Sequence, residues 1–235
     1  MIHCTKVAFA FDDHVIFSDA NISIQKGEFV YIVGETGCGK TTLMRLLYMD
    51  ILPTNGIVQV DSFSSASIKK RELYQLRRRL GIIFQDFRLL DDRSVYNNVT
   101  FALQAVGYSS REIKMRTTQA LSQVGLIHKK NSPTGELSGG EQQRLSIARA
   151  IAKDPVAILA DEPTGNLDPA TSADILTLLK KINLGGTTVL VATHNYELIR
   201  KFPARTIAIR NCKCEELDPL SLQSFPLDIP GTLED

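Results

Sequence analysis

The chain has 235 residues, 43% of them hydrophobic, with 27 Lys and Arg against 26 Asp and Glu, for a formal charge of +1. That length and apolar content permit a well-buried core, and the near-neutral balance argues against a nucleic-acid-binding surface of high overall basicity, so no nucleic-acid partner is expected. No apolar run approaches the length that spans a bilayer, and the first residues lack a secretory hydrophobic region, so any membrane role is expected to use another chain.

Taken along the chain, the alternation Val7-Ala8-Phe9-Ala10-Phe11 reads as a strand with one face buried, so either ring serves equally well as core. The apolar run Phe29 to Val33 then leads into Gly34-Glu35-Thr36-Gly37-Cys38-Gly39-Lys40-Thr41, and a helix-like run from Thr42 to Leu47 follows. Between a strand and a helix this is a phosphate-binding loop, because its glycines let successive N–H groups approach phosphate oxygens and the helix adds its positive end. Lys40 is expected to reach the β and γ phosphates and Thr41 to ligate Mg²⁺, so a nucleoside triphosphate is the expected ligand. A plain glycine turn would explain the glycines and leave the Lys-Thr pair without a reason.

Further on, Arg77-Arg78-Arg79 precedes Gly81 at an expected helix end, where cations face the helix dipole favourably. Ile82-Ile83-Phe84 ends in Gln85, and the apolar residues Leu89, Leu90, Val95, Tyr96 and Val99 come soon after. These either pack a local core or line a groove that receives a short helix from a partner. Leu137-Ser138-Gly139-Gly140-Glu141-Gln142-Gln143-Arg144 opens a helical stretch expected over 141–152. Ser138 followed by Glu141 is a capping box, and the same hydroxyl and glycines also make a second anion-binding helix start. One triphosphate is already cradled by Lys40, so that second start makes sense across a homodimer, gripping the partner's γ-phosphate.

Val156 to Ala160 is a short continuous apolar run, the pattern of a parallel strand buried on both faces, and it ends in Asp161-Glu162-Pro163. Open α/β sheets bind ligands at the carboxyl ends of their strands. Asp161 is expected to hold Mg²⁺ through a water, and Glu162 to orient and polarise the attacking water. Thr188 to Thr193 repeats the buried-strand pattern and delivers His194 to the same edge as Glu162. An Asp before Pro169 makes Asp168 a good helix start. Cys4, Cys38, Cys212 and Cys214 lack paired metal-ligand spacing, so free thiols in a reducing compartment are expected. A helix N-terminus and Lys40 beside Cys38 predict a lowered thiol pKa and oxidation-sensitive nucleotide binding.

This order of motifs resembles the ATP-binding-cassette (ABC) ATPase family, over almost the whole chain from about residue 2 to about residue 210. The resemblance implies an α/β fold: a RecA-like phosphate-loop core, an antiparallel β subdomain at the start, and an inserted helical subdomain at about 86–136. It implies an ATPase domain over 1–212 and leaves 213–235, with its Pro, Leu and acidic residues, as an added flexible tail. It assigns ATP and Mg²⁺ to the loop from Gly34 to Thr42, an adenine-stacking ring to Phe11, and a metal- and water-sensing amide to Gln85. His194 is matched to a γ-phosphate contact, and Gly165-Asn166-Leu167-Asp168 to a loop that crosses to the opposite site. Lys40, Gln85, Glu162 and His194 form the implied catalytic set. Most relatives carry Ser or Ala where this chain has Cys38.

Leu76 to Asp86, Leu89-Leu90, and above all Asp92-Arg93-Ser94-Val95-Tyr96-Asn97-Asn98-Val99 resemble the cell-division branch of the family. The stretch from Leu159 to Asp168 is shared with lipoprotein-releasing and macrolide-exporting ATPases, the near alternative. The resemblance implies a peripheral protein on the cytoplasmic face of the plasma membrane. Its polytopic partner is of the FtsX type and docks near Leu89–Val99. A phosphate-loop kinase would have no use for the Leu-Ser-Gly-Gly helix start, and a soluble cassette acting on DNA or ribosomes usually shows long coiled coils or two cassettes.

Overall fold

The computed structural model describes residues 1–217. Strands β1 (Ile2–Phe11), β2 (His14–Ile24), β4 (Asn55–Val60) and β5 (Phe63–Ser64) form an antiparallel sheet in the order β2-β1-β4-β5. The second sheet has the order β10-β9-β3-β8-β7-β6, built from β3 (Phe29–Val33), β6 (Leu80–Ile83), β7 (Ala157–Asp161), β8 (Thr188–Ala192), β9 (Arg205–Arg210) and β10 (Lys213–Leu217). Its members β6, β7, β8, β3 and β9 run parallel, and β10 pairs antiparallel with β9 at the edge.

Burial on both faces explains the uninterrupted apolar strands. In β3, Val30 and Ile32 join the core shared with the antiparallel sheet and helices α1 (Lys40–Leu47) and α2 (Lys70–Arg78). Tyr31 and Val33 face the other core. That second core is filled by α3 (Val95–Ala105), α4 (Ser110–Gln123), α5 (Gly139–Ile151), α6 (Pro169–Leu184) and α7 (Tyr196–Lys201). The architecture is an α/β core around a mostly parallel sheet, with an antiparallel β subdomain and inserted helices, as the resemblance implies. Between β6 and α5 the chain carries α3, α4 and two short 3₁₀ turns, Ile127–Lys129 and Thr134–Glu136.

One expectation needs correction. Residues 213–217 of the expected flexible tail are instead a strand, because Lys213–Leu217 pairs with β9 and Arg205 reaches across to Glu216. Edge strands tolerate the charged residues that hide this one from an apolar-run criterion. The rest of the expected tail, residues 218–235, lies outside the described residues. Of the apolar residues at Leu89–Val99, open between a local core and a partner groove, Val95 and Val99 are both 0% exposed in the core. Leu89 and Tyr96 pack half-buried against that core.

Candidate functional site

The loop after β3 ends at Gly39, left-handed at φ 109°, which caps α1. A Cβ on Gly39 would lie 2.5 Å from Ile16 Cγ2, so the turn needs glycine twice, for its dihedral and for its packing. Gly34, at φ 152°, faces the Cys38 sulfur, which a Cβ would meet at 2.5 Å. Glu35, Thr36 and Gly37 are exposed at the loop's crest, and Thr42 is buried under it.

Lys40, 7% exposed, turns its ammonium into this loop, donating to Gly34 O at 2.9 Å and Glu35 O at 3.1 Å. Its Nζ is 3.7 Å from Glu162 Oε1. The same Oε1 accepts from His194 Nδ1 at 2.8 Å, with the His194 side chain half-exposed. Glu162 sits at φ 45°, and its own N–H donates to Ala192 O at 2.9 Å. A left-handed non-glycine residue needs such outside support, and here the strain aims the carboxylate across the strand ends.

Asp161 ends β7 and lines one cleft with Thr41. Burial raises its carboxyl pKa above the usual 3.8, and the neighbouring Glu162 charge adds to this, against lowering by Thr41 and Lys40. Asp161 Oδ1 and Glu162 Oε2 are both buried without a hydrogen-bond partner. Two orphaned carboxylate oxygens beside a hydroxyl fit the oxygen-donor preference of Mg²⁺, which a thiol or imidazole set would not. Thr41, Gln85, Asp161 and Asn166 line one cleft of about 820 Å³. Gly34 to Cys38 and His194 line a second of about 750 Å³, together with His14, Val15 and Tyr196. Glu162 follows Asp161 of the first set and bonds His194 of the second, and Lys40 bonds Gly34 and Glu35 of the second. Sequence reasoning passed over His14, Val15 and Tyr196, and named Asn166 only within the loop matched to the opposite site.

Other expected residues are placed apart. Phe11, 43% exposed, stacks edge-on against Phe9 at 4.8 Å and stands opposite His14 in the β1–β2 register, at the margin of the second cleft and outside its lining. Ser138 caps α5, its Oγ accepting from Glu141 N–H at 3.3 Å while Glu141 accepts from Ser138 N–H at 2.9 Å. The capping box is therefore formed within the chain. Asp168 caps α6, accepting from Ala170 and Thr171 N–H, both at 3.0 Å. A Cβ on Gly140 would lie 2.5 Å from Thr171 Cγ2 and one on Gly139 3.4 Å from Leu167, so these two helix starts pack together, and Ser138, Gly139, Gly140 and Asp168 are outside the linings of both clefts.

The lowered pKa expected for Cys38 is overturned. Burial is the largest influence and raises the thiol above 9.0, outweighing Lys40 and the loop N–H groups. The predicted thiolate character depended on an exposed sulfur, and the sulfur is packed between Gly34 and the core.

A phosphate loop whose lysine meets a strand-end glutamate and histidine, beside a metal-ready aspartate, defines a nucleotide-hydrolysing cassette. The sequence profile of the ABC transporter family matches residues 17–165. The chain belongs to the ABC transporter family, and it is an ATPase. It is 48% identical over 191 residues, 81% of this chain and 83% of the other, to the cell division ATP-binding protein FtsE of Streptococcus pneumoniae serotype 2 (strain D39 / NCTC 7466). It is 43% identical over 212 residues, 90% and 93% of the two chains, to the same-named protein of Bacillus subtilis (strain 168). Among solved structures it is similar to the ATP-binding cassette MJ0796 in a dimeric post-hydrolysis state bound to ADP and Pi, with TM-score 0.80 and 33% identity, over 93% of this chain and 99% of that one.

Proposed function

We propose that this chain is the ATP-hydrolysing subunit of a membrane complex of cell division, closing as a head-to-tail homodimer around ATP and so moving an FtsX-type membrane subunit. The observation that carries the hydrolytic part is the Lys40–Glu162–His194 cluster with its unpartnered carboxylate oxygens. Similarity to FtsE proteins over four-fifths or more of the chain supports the cell-division part. Among the described residues no helix is long and apolar enough to cross a membrane, so the proposed place, the cytoplasmic face of the plasma membrane, is reached through the partner.

The residues divide the work. Lys40 leaves the loop carbonyls for the β and γ phosphates, which the N–H groups from Gly34 to Thr42 surround. Glu162 accepts a hydrogen bond from the attacking water and draws off its proton, turning it toward the γ-phosphorus; the P–O bond to ADP breaks and phosphate leaves. His194 holds the Glu162 carboxylate in place and lends its exposed edge to the γ-phosphate. Thr41, Asp161 through a water, and Gln85 would hold Mg²⁺. When bound, the ion supplies charge neutralisation at the phosphate oxygens. Ser138, Gly139 and Gly140 grip the partner's nucleotide, Asp168 borders the opposite site, and Phe11 stacks on the base.

The test is a tagged Glu162→Gln chain expressed in its source cells, trapped with ATP and Mg²⁺ and gently extracted from membranes. Co-purification of a division-type permease supports the reading. Recovery of a lipoprotein- or drug-export permease, or of no membrane protein, overturns it.

A further inference from the structure

Arg149 lies three turns into α5, and nothing in the hydrolytic scheme uses it. Its guanidinium donates through NH2 to Phe87 O at 2.7 Å and through NH1 to Arg88 O. Phe87 and Arg88 are consecutive non-glycine residues in the left-handed region, at φ 54° and 49°. Such a pair persists only where surrounding groups hold it. The local supports are a long Phe87 N–H bond to Phe84 O at 3.3 Å, an Arg88 N–H bond to Asp86 O at 2.5 Å, an exposed Arg88–Asp86 ion pair at 3.2 Å, and the Arg88 guanidinium 3.9 Å over the Phe84 ring, all from within residues 84–88. Among the described residues the Arg149 fork supplies the hydrogen bonds to Phe87 and Arg88 from another element, and it fastens the turn immediately after Gln85.

The entry to β6 is tied just past the same helix. Lys153, two residues beyond the end of α5, donates to Arg77 O in the last turn of α2 at 2.9 Å. Midway along β6, a Cβ on Gly81 would lie 3.2 Å from both Ala150 Cβ and Ala150 O, so strand and helix are in close contact. Gln85 therefore hangs between the Gly81–Ala150 contact on one side and the Arg149 fork on the other, both on α5, the helix that Ser138 and Glu141 cap at its far end.

We propose that Arg149 is a positioning residue for ATP hydrolysis: it sets Gln85 against the metal and the lytic water, and it makes Gln85 follow α5. The proposal rests on the roles given above to Gln85 and to Ser138–Gly140. In the head-to-tail dimer one end of α5 answers to the partner's nucleotide, while Arg149 carries that movement to the amide serving the chain's own nucleotide. A planar fork reaching two successive carbonyls suits arginine, and a lysine ammonium at the same place supplies a point charge without the fork.

The experiment uses the full chain as wild type, Arg149→Ala, Arg149→Lys, Gln85→Ala and the Arg149→Ala/Gln85→Ala double variant. We expect Arg149→Ala to lower kcat by about tenfold or more and to raise the Mg²⁺ concentration for half-maximal turnover, as loss of a group supporting a metal ligand does. Binding of a fluorescent ATP analogue without Mg²⁺ should stay within about twofold, and Arg149→Lys should recover part of kcat. The double variant should be no slower than Gln85→Ala, because both remove one function. Amide hydrogen exchange should rise over residues 86–90 in Arg149→Ala, a readout independent of turnover.

Unchanged exchange there, losses that multiply in the double variant, or loss of ATP affinity in step with kcat in both Arg149 variants would each overturn the proposal. A wild-type rate in Gln85→Ala would instead remove the role given to Gln85 above, and this proposal with it. A slow Gln85→Ala beside a normal Arg149→Ala overturns this proposal alone.

Discussion

Replacing Glu162 by Gln isolates the charge of one carboxylate from its shape. Glu162 is 8% exposed, with Oε1 shared between His194 Nδ1 at 2.8 Å and Lys40 Nζ at 3.7 Å, and with Oε2 unpartnered. A Gln carbonyl still accepts from His194, and Lys40 keeps its bonds to Gly34 O and Glu35 O. The fold should therefore hold to within about 1 kcal/mol, about 2–4 °C in Tm for a chain of this size. The amide cannot take up the water's proton. A positioned base contributes about 10²–10⁴-fold, which at about 1.36 kcal/mol per decade adds roughly 3–5 kcal/mol to the barrier. Phosphate release under saturating ATP and Mg²⁺ measures the rate, and size-exclusion chromatography with ATP reports the closed dimer. Expected is a folded chain that binds ATP, dimerises and turns over at least about a hundredfold more slowly. A folded variant hydrolysing within a few-fold of the wild type would refute the assignment of Glu162.

Three further outcomes follow from the same geometry. Asp161 has a folded pKa above its unfolded value, so its ionised form is disfavoured by the fold above that pKa and relieved as pH falls through it. At neutral pH Asp161→Asn should melt no lower than the wild type without Mg²⁺, while Mg²⁺-dependent hydrolysis is lost; a clear fall in Tm would contradict this. Lys153 is pushed by burial from 10.5 down to about 8, so its ammonium opposes folding below pH 8 and that opposition fades as pH rises toward 10.5. The stability of wild type minus that of Lys153→Met should rise by on the order of 3 kcal/mol across this window. Taking the difference is necessary because Cys4 and Cys214, both pushed up to about 12, act in the opposite sense above pH 9; a flat difference curve would show Lys153 to be unperturbed. Finally, the raised Cys38 thiol predicts that mild peroxide at pH 7 inhibits ATPase activity of the wild type no more than that of Cys38→Ser, and selective protection by the serine would contradict the burial argument.

Local motifs were legible because their meaning is carried by neighbours in the chain. The apolar runs ending at Val33, Asp161 and Ala192 read as parallel strands because both faces of each are buried, and their ends then carry Gly34, Glu162 and His194 to one edge. Strand β10 was not legible, since Lys213-Cys214-Glu215-Glu216-Leu217 owes its conformation to the register with β9. The state of Cys38 was misread because opposing terms, burial against nearby cations, are weighed only by packing. Val95 and Val99 could not be divided between core and groove until α3 was oriented. The Arg149 tie to Phe87 and Arg88 spans about sixty residues of chain, and no local pattern announces it.

The capping box at Ser138 places two demands on one oxygen. Its lone pairs already receive the Glu141 N–H, so the helix start is secured before any neighbour arrives. What remains to offer a phosphate across the proposed interface is the hydroxyl proton, aimed outward by the bond behind it. Aspartate or asparagine would start the helix as well as serine does, yet aspartate would meet a phosphate with like charge, and asparagine would have to spend its carbonyl on the helix and turn an amide outward on a longer arm. Alanine would leave the Glu141 N–H without its partner. The residue that suits the lone helix and the residue that suits an anion from outside coincide only in a small hydroxyl, so a selection for folding alone would let this position drift among Asp, Asn, Ser and Thr, and a selection for assembly around nucleotide would narrow it to Ser and Thr.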